Sequence, residues 1–332
     1  MLKKHSLIKP LMCFVLGALS TLSLTPFSIY PFIICFSLAI FFILESKHRK
    51  ELFMASWMFS FGWFFSGLYW IGSAFLVQSN FFYYLLPLAI TALPMVLSLI
   101  WVLAFFISNE LGKVFGNKFI WFLFLFSIIE YFRGYFVEFP WLMPGHALAS
   151  NSYFLQSFSF IGSYSMNTVF ITITIIPILI YQNREKYLRT CIFLCIPIII
   201  LLFISFLRYE TRNNIRFIKD YDITLVQPNI SQKDKWKKSL ISTHHKKLQN
   251  LSNQKNELGP HNLRLIVWPE TAFVGVYPRD KEQLLNFKKK LLNLNSNDYL
   301  FTGVINLKEK DYFNSGILID SKNKVKNIYN KN

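Results

Sequence analysis

Acidic residues are scarce in this 332-residue chain, in which 18 Asp and Glu stand against 35 Lys and Arg for a net charge of +17. An excess of this kind can indicate a nucleic-acid-binding protein. Here the basic residues are scattered among Asn, Ile and Phe, and they form no basic face and no aromatic-interleaved motif. We therefore exclude nucleic acid as a partner and expect the excess charge to contact the anionic headgroups of a lipid bilayer.

Cysteine is scarce as well, and no CxxC pair or His at ligand spacing accompanies the cysteines. All four lie inside apolar runs: Cys13, Cys35, Cys191 and Cys195. This pattern excludes both a disulfide framework and a zinc site, so we expect no metal. Small buried hydrophobic side chains are the more ordinary role for such cysteines.

A signal-peptide cleavage site of the A-x-A type is also absent after the basic and apolar N-terminal segment, and further apolar runs follow it. The first run therefore predicts a retained membrane span rather than a cleaved leader.

Apolar sequence is abundant, because 53% of the residues are hydrophobic and 18% are aromatic. Charge-free stretches predict about seven membrane helices in residues 1–207, since each stretch approaches the roughly 20 residues that cross hydrocarbon. Two lie in 10–44 with a break near Pro26 and Pro31, two in 52–109 around the polar break 78–80, one begins at 119–129, and two occupy 160–181 and 191–207.

Lys and Arg fall in alternate loops between these predicted helices, and the loops around Pro26, Ser79 and Gly145 carry almost none. Cytoplasmic loops hold the excess of Lys and Arg in membrane proteins. The pattern predicts a multi-pass protein with a cytoplasmic N-terminus, and seven spans then place residues 208–332 outside the cytoplasm.

Residues 208–332 alternate between strand and helix patterns, which is typical of an α/β layered domain. The predicted strands are 222–226, 263–267, 299–305 and 316–319, and the predicted helices are 238–251 and 280–294. Sites in such sheets collect beyond the carboxyl ends of strands. Glu270 stands there, and in a dry site its carboxylate would be suited to act as a general base.

Glu130 and Arg133 lie three residues apart near the outer end of the fifth predicted helix, where they could pair on one face. A charged pair at that depth indicates either a functional site or an interfacial anchor, and both alternatives stay open.

Short motifs recur in one order along the whole chain. In residues 208–332 they are Gln227-Pro228-Asn229-Ile230, Lys235-Trp236, Val267-Trp268-Pro269-Glu270-Thr271-Ala272, Thr302-Gly303, Asn314-Ser315 and Tyr329-Asn330-Lys331. In residues 1–207 they are Gly67-Leu68-Tyr69-Trp70-Ile71, Glu130-Tyr131-Phe132-Arg133-Gly134 and Phe139-Pro140-Trp141-Leu142. As a combination they resemble the apolipoprotein N-acyltransferase family, although each motif alone is weak.

The resemblance implies the fold class: a multi-span α-helical membrane bundle in residues 1–207, followed in residues 208–332 by an incomplete α/β domain of the αββα nitrilase type. It implies a bacterial inner-membrane location with a periplasmic C-terminal domain. The implied reaction moves an acyl chain from a phospholipid, through a Cys thioester, to the N-terminal diacylglyceryl-cysteine of an apolipoprotein. The implied partners are thus the bilayer, a phospholipid donor and a diacylated apolipoprotein acceptor, with no cofactor.

Carried over by motif, Glu270 corresponds to the general base and Lys331 to the cation that stabilises the oxyanion. Trp236 corresponds to an aromatic residue near the acyl-binding pocket, and Trp141 belongs to a membrane-half motif that we assign to substrate binding.

The family's nucleophilic Cys follows the lysine, and no such residue follows Lys331 here. A thiol in hydrocarbon is poorly ionised, so the four cysteines present are poor substitutes. We expect a C-terminally truncated sequence with little or no activity of its own. The alternative is a catalytically inactive membrane fragment that serves as a binding or interaction module. A multi-span transporter ranks last, because the spans lack ionisable groups in their middles.

Overall fold

The computed structural model describes residues 7–77, 84–211, 221–253, 263–289, 298–322 and 324–331. The chain divides into two compact units, which we call the helical unit (Met1–Asn214) and the sheet unit (Ile215–Asn332). Each unit is described by itself.

The described part of the helical unit contains helices of very different length. In chain order they are α1 (Ile8–Ser20), α2 (Ile33–Leu44), α3 (Arg49–Leu68), α4 (Gly72–Val77), α5 (Leu86–Phe115), α6 (Lys118–Tyr135), α7 (Ser152–Gln182) and α8 (Arg184–Thr211). Short 3₁₀ turns cover Thr21–Ser23, Tyr30–Phe32, Tyr69–Ile71 and Pro144–Ser150.

Three of these helices, α5, α7 and α8, are long and apolar enough to cross a membrane. The segments Ile8–Ser23 and Tyr30–Leu44 are apolar but shorter. The predicted break near Pro26 and Pro31 is confirmed, since α1 and α2 are separate helices there. The predicted break at 78–80 lies outside the described residues. That all seven predicted helices span a bilayer stays a prediction.

Several helices extend beyond the predicted ranges, and α6 and α8 are the two that bear on the site and the domain boundary. Helix α6 begins after Asn117, whose side-chain oxygen accepts from the Phe119 N–H at 2.8 Å and caps the first turn. It continues to Tyr135, so Glu130 and Arg133 both lie on it. Helix α8 continues to Thr211, past the domain boundary that we expect at residue 207.

The core of the helical unit is built on aromatic rings. The Phe36 ring is fully buried, and its edge-to-face contacts with Phe59, Trp63 and Phe170 have centroid distances of 5.0, 5.5 and 5.1 Å. Such pairs are favourable because ring edges and faces carry opposite partial charge. The rings join α2, α3 and α7 around one centre.

The sheet unit contains a mixed sheet. Its strands are β1 (Tyr221–Leu225), β2 (Leu263–Val267), β3 (Val276–Tyr277), β4 (Tyr299–Lys308), β5 (Asp311–Ile319) and β6 (Val325–Asn330). They are ordered β1-β2-β4-β5-β6, and β3 pairs with β4. The β1–β2, β2–β4 and β3–β4 pairs are parallel, whereas the β4–β5 and β5–β6 pairs are antiparallel.

Helices α9 (Gln232–Lys235), α10 (Ile241–Ser252) and α11 (Lys281–Lys289) accompany the sheet. The buried core contains Leu248 and Leu284 from helices, and Ile266, Leu300 and Ile317 from strands. The predicted strands and helices are confirmed where the chain is described, and residues 290–294 of the second helix lie outside it. Strands β3 and β6 and helix α9 have no counterpart among the predicted elements. The residues of β6 are either exposed or only partly buried, which is typical of a strand that faces solvent.

The register of the parallel pairing between β2 and β4 determines where the loop after β2 lies. Val267, the last residue of β2, pairs with Phe301 near the beginning of β4, and β4 continues to Lys308. The chain that leaves β2 therefore lies against the middle of β4 rather than beyond the end of the sheet.

Candidate functional site

Glu270 follows β2 on a short turn whose start is held by Trp268. The Trp268 backbone N–H donates to the Phe301 carbonyl oxygen at 2.9 Å, and the indole N–H donates to Ser252 Oγ at 2.8 Å. Only 1% of the Trp268 side chain is exposed. A large buried ring with its N–H satisfied is a rigid anchor, so the following residues leave the sheet in a defined direction.

Strand β4 passes directly against this turn at Gly303. A Cβ atom at position 303 would lie 2.3 Å from the Thr271 nitrogen and 2.8 Å from the Glu270 Cα atom. The Phe273 N–H also donates to the Gly303 carbonyl oxygen at 3.2 Å. Because the nearest atoms belong to the backbone, only glycine permits this approach, which holds Glu270 over the sheet.

Asn314 on β5 and Lys331, which directly follows β6, converge on the Glu270 carboxylate. Lys331 Nζ lies 3.9 Å from Glu270 Oε1, and the Asn314 side-chain amide donates to the same oxygen. The Lys331 backbone N–H donates to the Asn314 carbonyl oxygen at 2.9 Å, which continues the β5–β6 ladder. The sheet therefore sets the spacing between the carboxylate and the cation.

The Glu270 and Lys331 side chains are 65% and 66% exposed. From the sequence, we expect Glu270 to act as a general base in a site shielded from water. The described residues do not shield its carboxylate. An exposed pair at this distance contributes little to stability, so both groups stay available to a ligand.

Lys235 holds the other side of the turn. Its Nζ donates to the Glu270 carbonyl oxygen at 3.1 Å and to Thr271 Oγ1. Partial burial lowers the pKa of Lys235 below its usual value, and the negative charge of Glu270 opposes that shift. The Thr271 backbone has a positive φ of 46°, and the two lysine contacts support this uncommon conformation.

Glu270 borders two cavities in the sheet unit. A cavity of about 160 Å³ lies on the Lys235 side and is also lined by His244 and residues 227–230. A cavity of about 230 Å³ lies on the Lys331 side and is also lined by Asn314 and Tyr329. A carboxylate placed between two cavities can contact groups bound in either one.

Trp236 ends helix α9 and is 48% exposed. Its ring contacts the Lys235 ammonium, with Nζ 5.8 Å from the ring centroid. Lys235 lines one of the two cavities beside Glu270, whereas Trp236 is not among the described residues that line either of them. The structure therefore brings together Glu270 and Lys331, while Trp236 lies beside the site.

Trp141 belongs to the helical unit and lines a cavity of about 370 Å³ there. Its ring lies 5.6 Å from the Trp70 ring, so two of the motifs singled out in residues 1–207 meet at this cavity. The cavity lining is mostly apolar and aromatic, which suits a hydrocarbon chain better than a polar solute.

The predicted pair of Glu130 and Arg133 is present and wholly buried. Arg133 Nε and Nη2 donate to Glu130 Oε1 and Oε2 at 2.6 and 2.8 Å, and the Trp101 indole N–H donates to Oε1 at 2.7 Å. Arg133 Nη1 donates to the carbonyl oxygens of Phe139 and Trp141 at 2.6 and 2.9 Å. The pair therefore holds the loop that presents Trp141, which neither sequence alternative described.

The site includes residues to which the sequence assigned no role. Asn314 and Lys235 both lie inside the quoted motifs, and that position is the signal that could have identified them.

The four cysteines all belong to helices of the helical unit: Cys13 to α1, Cys35 to α2, and Cys191 and Cys195 to α8.

A family model and curated proteins both show that this chain is similar to apolipoprotein N-acyltransferases. The family described as "Apolipoprotein N-acyltransferase N-terminal domain" matches residues 16–176 of this chain. That range begins within α1 and ends within α7, and it includes the Glu130–Arg133 pair and the Trp141 loop.

Curated relatives extend the similarity into the sheet unit. An apolipoprotein N-acyltransferase from Rhodopseudomonas palustris is 27% identical over 336 aligned residues, which cover 95% of this chain and 62% of the relative. One from Brucella melitensis is 28% identical over 96% of this chain and 62% of its own length. One from Rickettsia prowazekii is 29% identical over 91% and 60%. The chain therefore spans about 62% of the length of the first two relatives.

Proposed function

From this similarity we propose that the chain belongs to the apolipoprotein N-acyltransferase family and carries the membrane part and the acid–base part of a site for N-acylation of lipoproteins. The donor is a phospholipid, and the acceptor is the diacylglyceryl-cysteine at the N-terminus of an apolipoprotein. The sheet unit is the N-terminal part of a nitrilase-like domain outside the cytoplasm, on the periplasmic side of a bacterial inner membrane.

The single observation that carries this proposal is the arrangement around Glu270. A carboxylate lies between two cavities, with Lys331 Nζ 3.9 Å from Glu270 Oε1 and with Asn314 donating to the same oxygen. Acyl transfer through a covalent intermediate requires a base that can take a proton and return it, and a fixed cation where negative charge develops.

In the first half-reaction, Glu270 takes the proton of a thiol, and the sulfur attacks the ester carbonyl carbon of the phospholipid. The oxyanion that forms is stabilised by the Lys331 ammonium. The carbon–oxygen bond then breaks, and Glu270 returns the proton to the leaving glycerol oxygen. A thioester is left, which divides one difficult transfer into two easier ones.

In the second half-reaction, the α-amine of the acceptor attacks the thioester carbon while Glu270 accepts a proton from the nitrogen. Collapse of the second oxyanion breaks the carbon–sulfur bond, and the sulfur regains its proton. Asn314 holds the carboxylate by one oxygen, which keeps the other oxygen free for these proton transfers.

The sequence of residues 215–332 contains no cysteine, and the four cysteines of the chain all precede residue 196. We propose that the thiol is supplied by polypeptide outside residues 1–332. The helical unit contributes the cavity lined by Trp70 and Trp141, which we assign to an acyl chain of the lipid substrate.

The test measures transfer of a labelled acyl chain from phospholipid to a synthetic diacylated lipopeptide, in membranes of cells that express the protein from its natural gene. Glu270→Gln should reduce transfer by about 10²–10⁴-fold, the range of general-base catalysis. Lys331→Met should reduce it by roughly 10²–10³-fold, as for removal of an oxyanion-stabilising group. Glu282→Gln, an exposed substitution on α11, is the matched control and should have no effect.

Equal transfer by the Glu270→Gln and Glu282→Gln proteins would rule out the base role. Absence of transfer by the unsubstituted protein, together with retained binding of the lipopeptide, would favour the second candidate, a binding module. The exposure of Glu270 and Lys331 is the observation that favours that candidate, because both polar groups can contact a ligand without chemistry.

A further inference from the structure

A polar cavity of the helical unit, which shares no lining residue with the Trp141 cavity, lies where the ends of five helices meet. Its volume is about 640 Å³, within the range of roughly 300–1,000 Å³ that is usual for small-molecule sites. It is lined by Ser46 after α2, by the end of α5, by Lys118 at the start of α6, by Gln182 at the end of α7, and by Lys186 on α8.

The lining is rich in hydrogen-bond donors. Among the described residues that line it are three lysines and four side-chain amides, and no carboxylate: Lys113, Lys118, Lys186, Asn109, Asn117, Gln182 and Asn183. The Asn117 amide donates to Gln182 Oε1 at 3.0 Å, which joins the start of α6 to the end of α7 and leaves the Gln182 amino group free to donate. A cavity lined by hydrogen-bond donors and by no carboxylate is suited to bind an anion.

Close packing holds one wall of the cavity in place. A Cβ atom at Gly112 would lie 2.4 Å from Lys118 Cβ and 2.7 Å from Lys118 Cα. Glycine at this position lets the last turn of α5 contact the first residue of α6 directly. Lys118 is thereby fixed at the cavity, and its side chain is only 26% exposed.

The positive charge of this cluster is not fully neutralised. Lys118 Nζ pairs with Glu45 at 2.9 Å, and Lys113 Nζ pairs with Glu110 at 2.8 Å. Glu110 also pairs with Arg49. Lys186 Nζ lies 5.3 Å from the centroid of the Tyr187 ring. Within the described ranges, no carboxylate forms an ion pair with Lys186, so its charge is available to a bound anion.

An apolar face runs away from Lys186 along the same helix. Phe193 and Ile200 lie seven and fourteen residues beyond it, which places them on the same side of α8, and they are 73% and 53% exposed. Only 11% of the apolar window of α8 is buried within the described structure. A phosphate that entered the cavity alone would leave this face uncovered, whereas a lipid would cover it with its acyl chains.

We propose that this cavity binds the phosphate-bearing headgroup of an anionic phospholipid, with Lys186 as the principal contact and the acyl chains along the Phe193–Ile200 face of α8. Basic pockets between membrane helices commonly hold such headgroups. All the described lining residues belong to the helical unit, and the proposal stands whether or not the protein transfers acyl chains.

The test uses the purified chain in an uncharged detergent, with native mass spectrometry to count bound lipid during titration with short-chain phosphatidylglycerol. Lys186→Ala should raise the Kd of the tightest-binding lipid about fivefold, the equivalent of about 1 kcal/mol for one basic residue at a membrane surface. Arg189→Ala removes the same charge from the same exposed helix outside the cavity lining, and it should change the Kd less than twofold.

Lys186→Arg keeps the charge and should retain most of the affinity, which separates loss of the contact from loss of the fold. Equal weakening by Lys186→Ala and Arg189→Ala would overturn the proposal, because binding would then follow surface charge alone. Equal affinity for phosphatidylcholine would overturn the headgroup assignment. Inorganic phosphate that binds as tightly as the lipid and competes with it would overturn the lipid assignment in favour of a free-phosphate site.

Discussion

Arg133 is hydrogen-bonded to the backbone at Trp141, because its Nη1 donates to the Trp141 carbonyl oxygen at 2.9 Å. Nε and Nη2 of the same guanidinium donate to Glu130 Oε1 and Oε2 at 2.6 and 2.8 Å, so its charge is neutralised. Both charged side chains are fully buried. An exposed aromatic loop of the helical unit is therefore positioned by a charged pair from inside helix α6. Loops that carry functional side chains are commonly fixed by a rigid scaffold in this way.

Removal of one partner of this pair should be more harmful than removal of both. Arg133→Met leaves the Glu130 carboxylate buried without its cation, and loss of one partner of a buried pair costs about 3–5 kcal/mol. The double substitution Glu130→Met with Arg133→Met should be closer to the unsubstituted protein. Thermal denaturation in detergent, followed by size-exclusion chromatography, measures the order of the three proteins.

Arg208→Met provides the control for that comparison, because Arg208 is exposed and contacts Gln156 at the surface. It should change the melting temperature little. A double variant as unstable as Arg133→Met would contradict the proposed penalty for an unpaired buried charge.

Gly303→Ala should loosen the turn that carries Glu270. The added Cβ atom meets backbone atoms of Glu270 and Thr271, which move only if the turn shifts away from β4. We expect a destabilisation of about 1–3 kcal/mol, as for other cases of overpacking, concentrated in β2 and β4. Hydrogen–deuterium exchange of peptides from 263–273 and 299–308 measures it.

Gly316→Ala is the matched substitution on the neighbouring strand β5. There the added Cβ atom meets the end of the Phe301 ring, a side chain that can rotate. Its effect on exchange should be smaller. Equal acceleration of exchange by both substitutions would mean that the backbone approach at Gly303 has no special role.

Lys235→Met should release the turn from its other side. The substitution removes the contacts of Nζ with the Glu270 carbonyl oxygen and with Thr271 Oγ1. We expect faster exchange of the amides at 268–273, with little change in β1. Lys233→Met, two residues earlier and exposed, is the control. Unchanged exchange in the Lys235→Met protein would exclude a positioning role for this lysine.

Acid should destabilise the sheet unit through His245. Burial lowers the pKa of His245 to about 4, and the neighbouring His244 adds to the shift. In the unfolded chain the pKa is about 6.5, so the unfolded state binds the proton more readily. The stability associated with neutral His245 is present above about pH 6.5 and is lost as the pH falls towards 4.

His245→Phe removes this titration and preserves an aromatic ring against Phe273, whose ring stacks on the imidazole at 5.2 Å. The difference in melting temperature between the two proteins should shift in favour of His245→Phe as the pH falls from 7 to 4.5. A constant difference across that range would show that His245 does not titrate in folding. Asp320 does not interfere, because hydrogen bonding to the backbone lowers the pKa of its carboxyl, so it titrates below this window.

Local sequence pattern accounts for most of the elements and for one site residue. The long apolar runs predict helices α1, α2, α7 and α8, and the short apolar runs at 222–226 and 263–267 predict β1 and β2, because burial follows directly from hydrophobic spacing. Glu270 could be identified for the same reason, since it follows the end of a strand. The pair of Glu130 and Arg133 could be predicted because helix geometry brings residues three apart together.

The rest depends on contacts between residues that are distant in sequence. Asn314 reaches Glu270 across 44 residues, and it does so because the β4–β5 register places Asn314 opposite Ile305. The contact of Lys331 with Glu270 depends in the same way on the antiparallel register of β6 against β5. A side-chain pattern specifies which face of a strand is buried, but strand order and register depend on the packing of the whole sheet.

The sequence by itself thus determined the division into a helical and a sheet unit, most of their elements and the position of one carboxylate after a strand. Only the tertiary structure decided that this carboxylate meets Lys331 and Asn314, that Arg133 holds the Trp141 loop, and that three lysines surround one polar cavity. The physical reason is that hydrophobic spacing acts within a segment, whereas these contacts are fixed by how separate segments pack against one another.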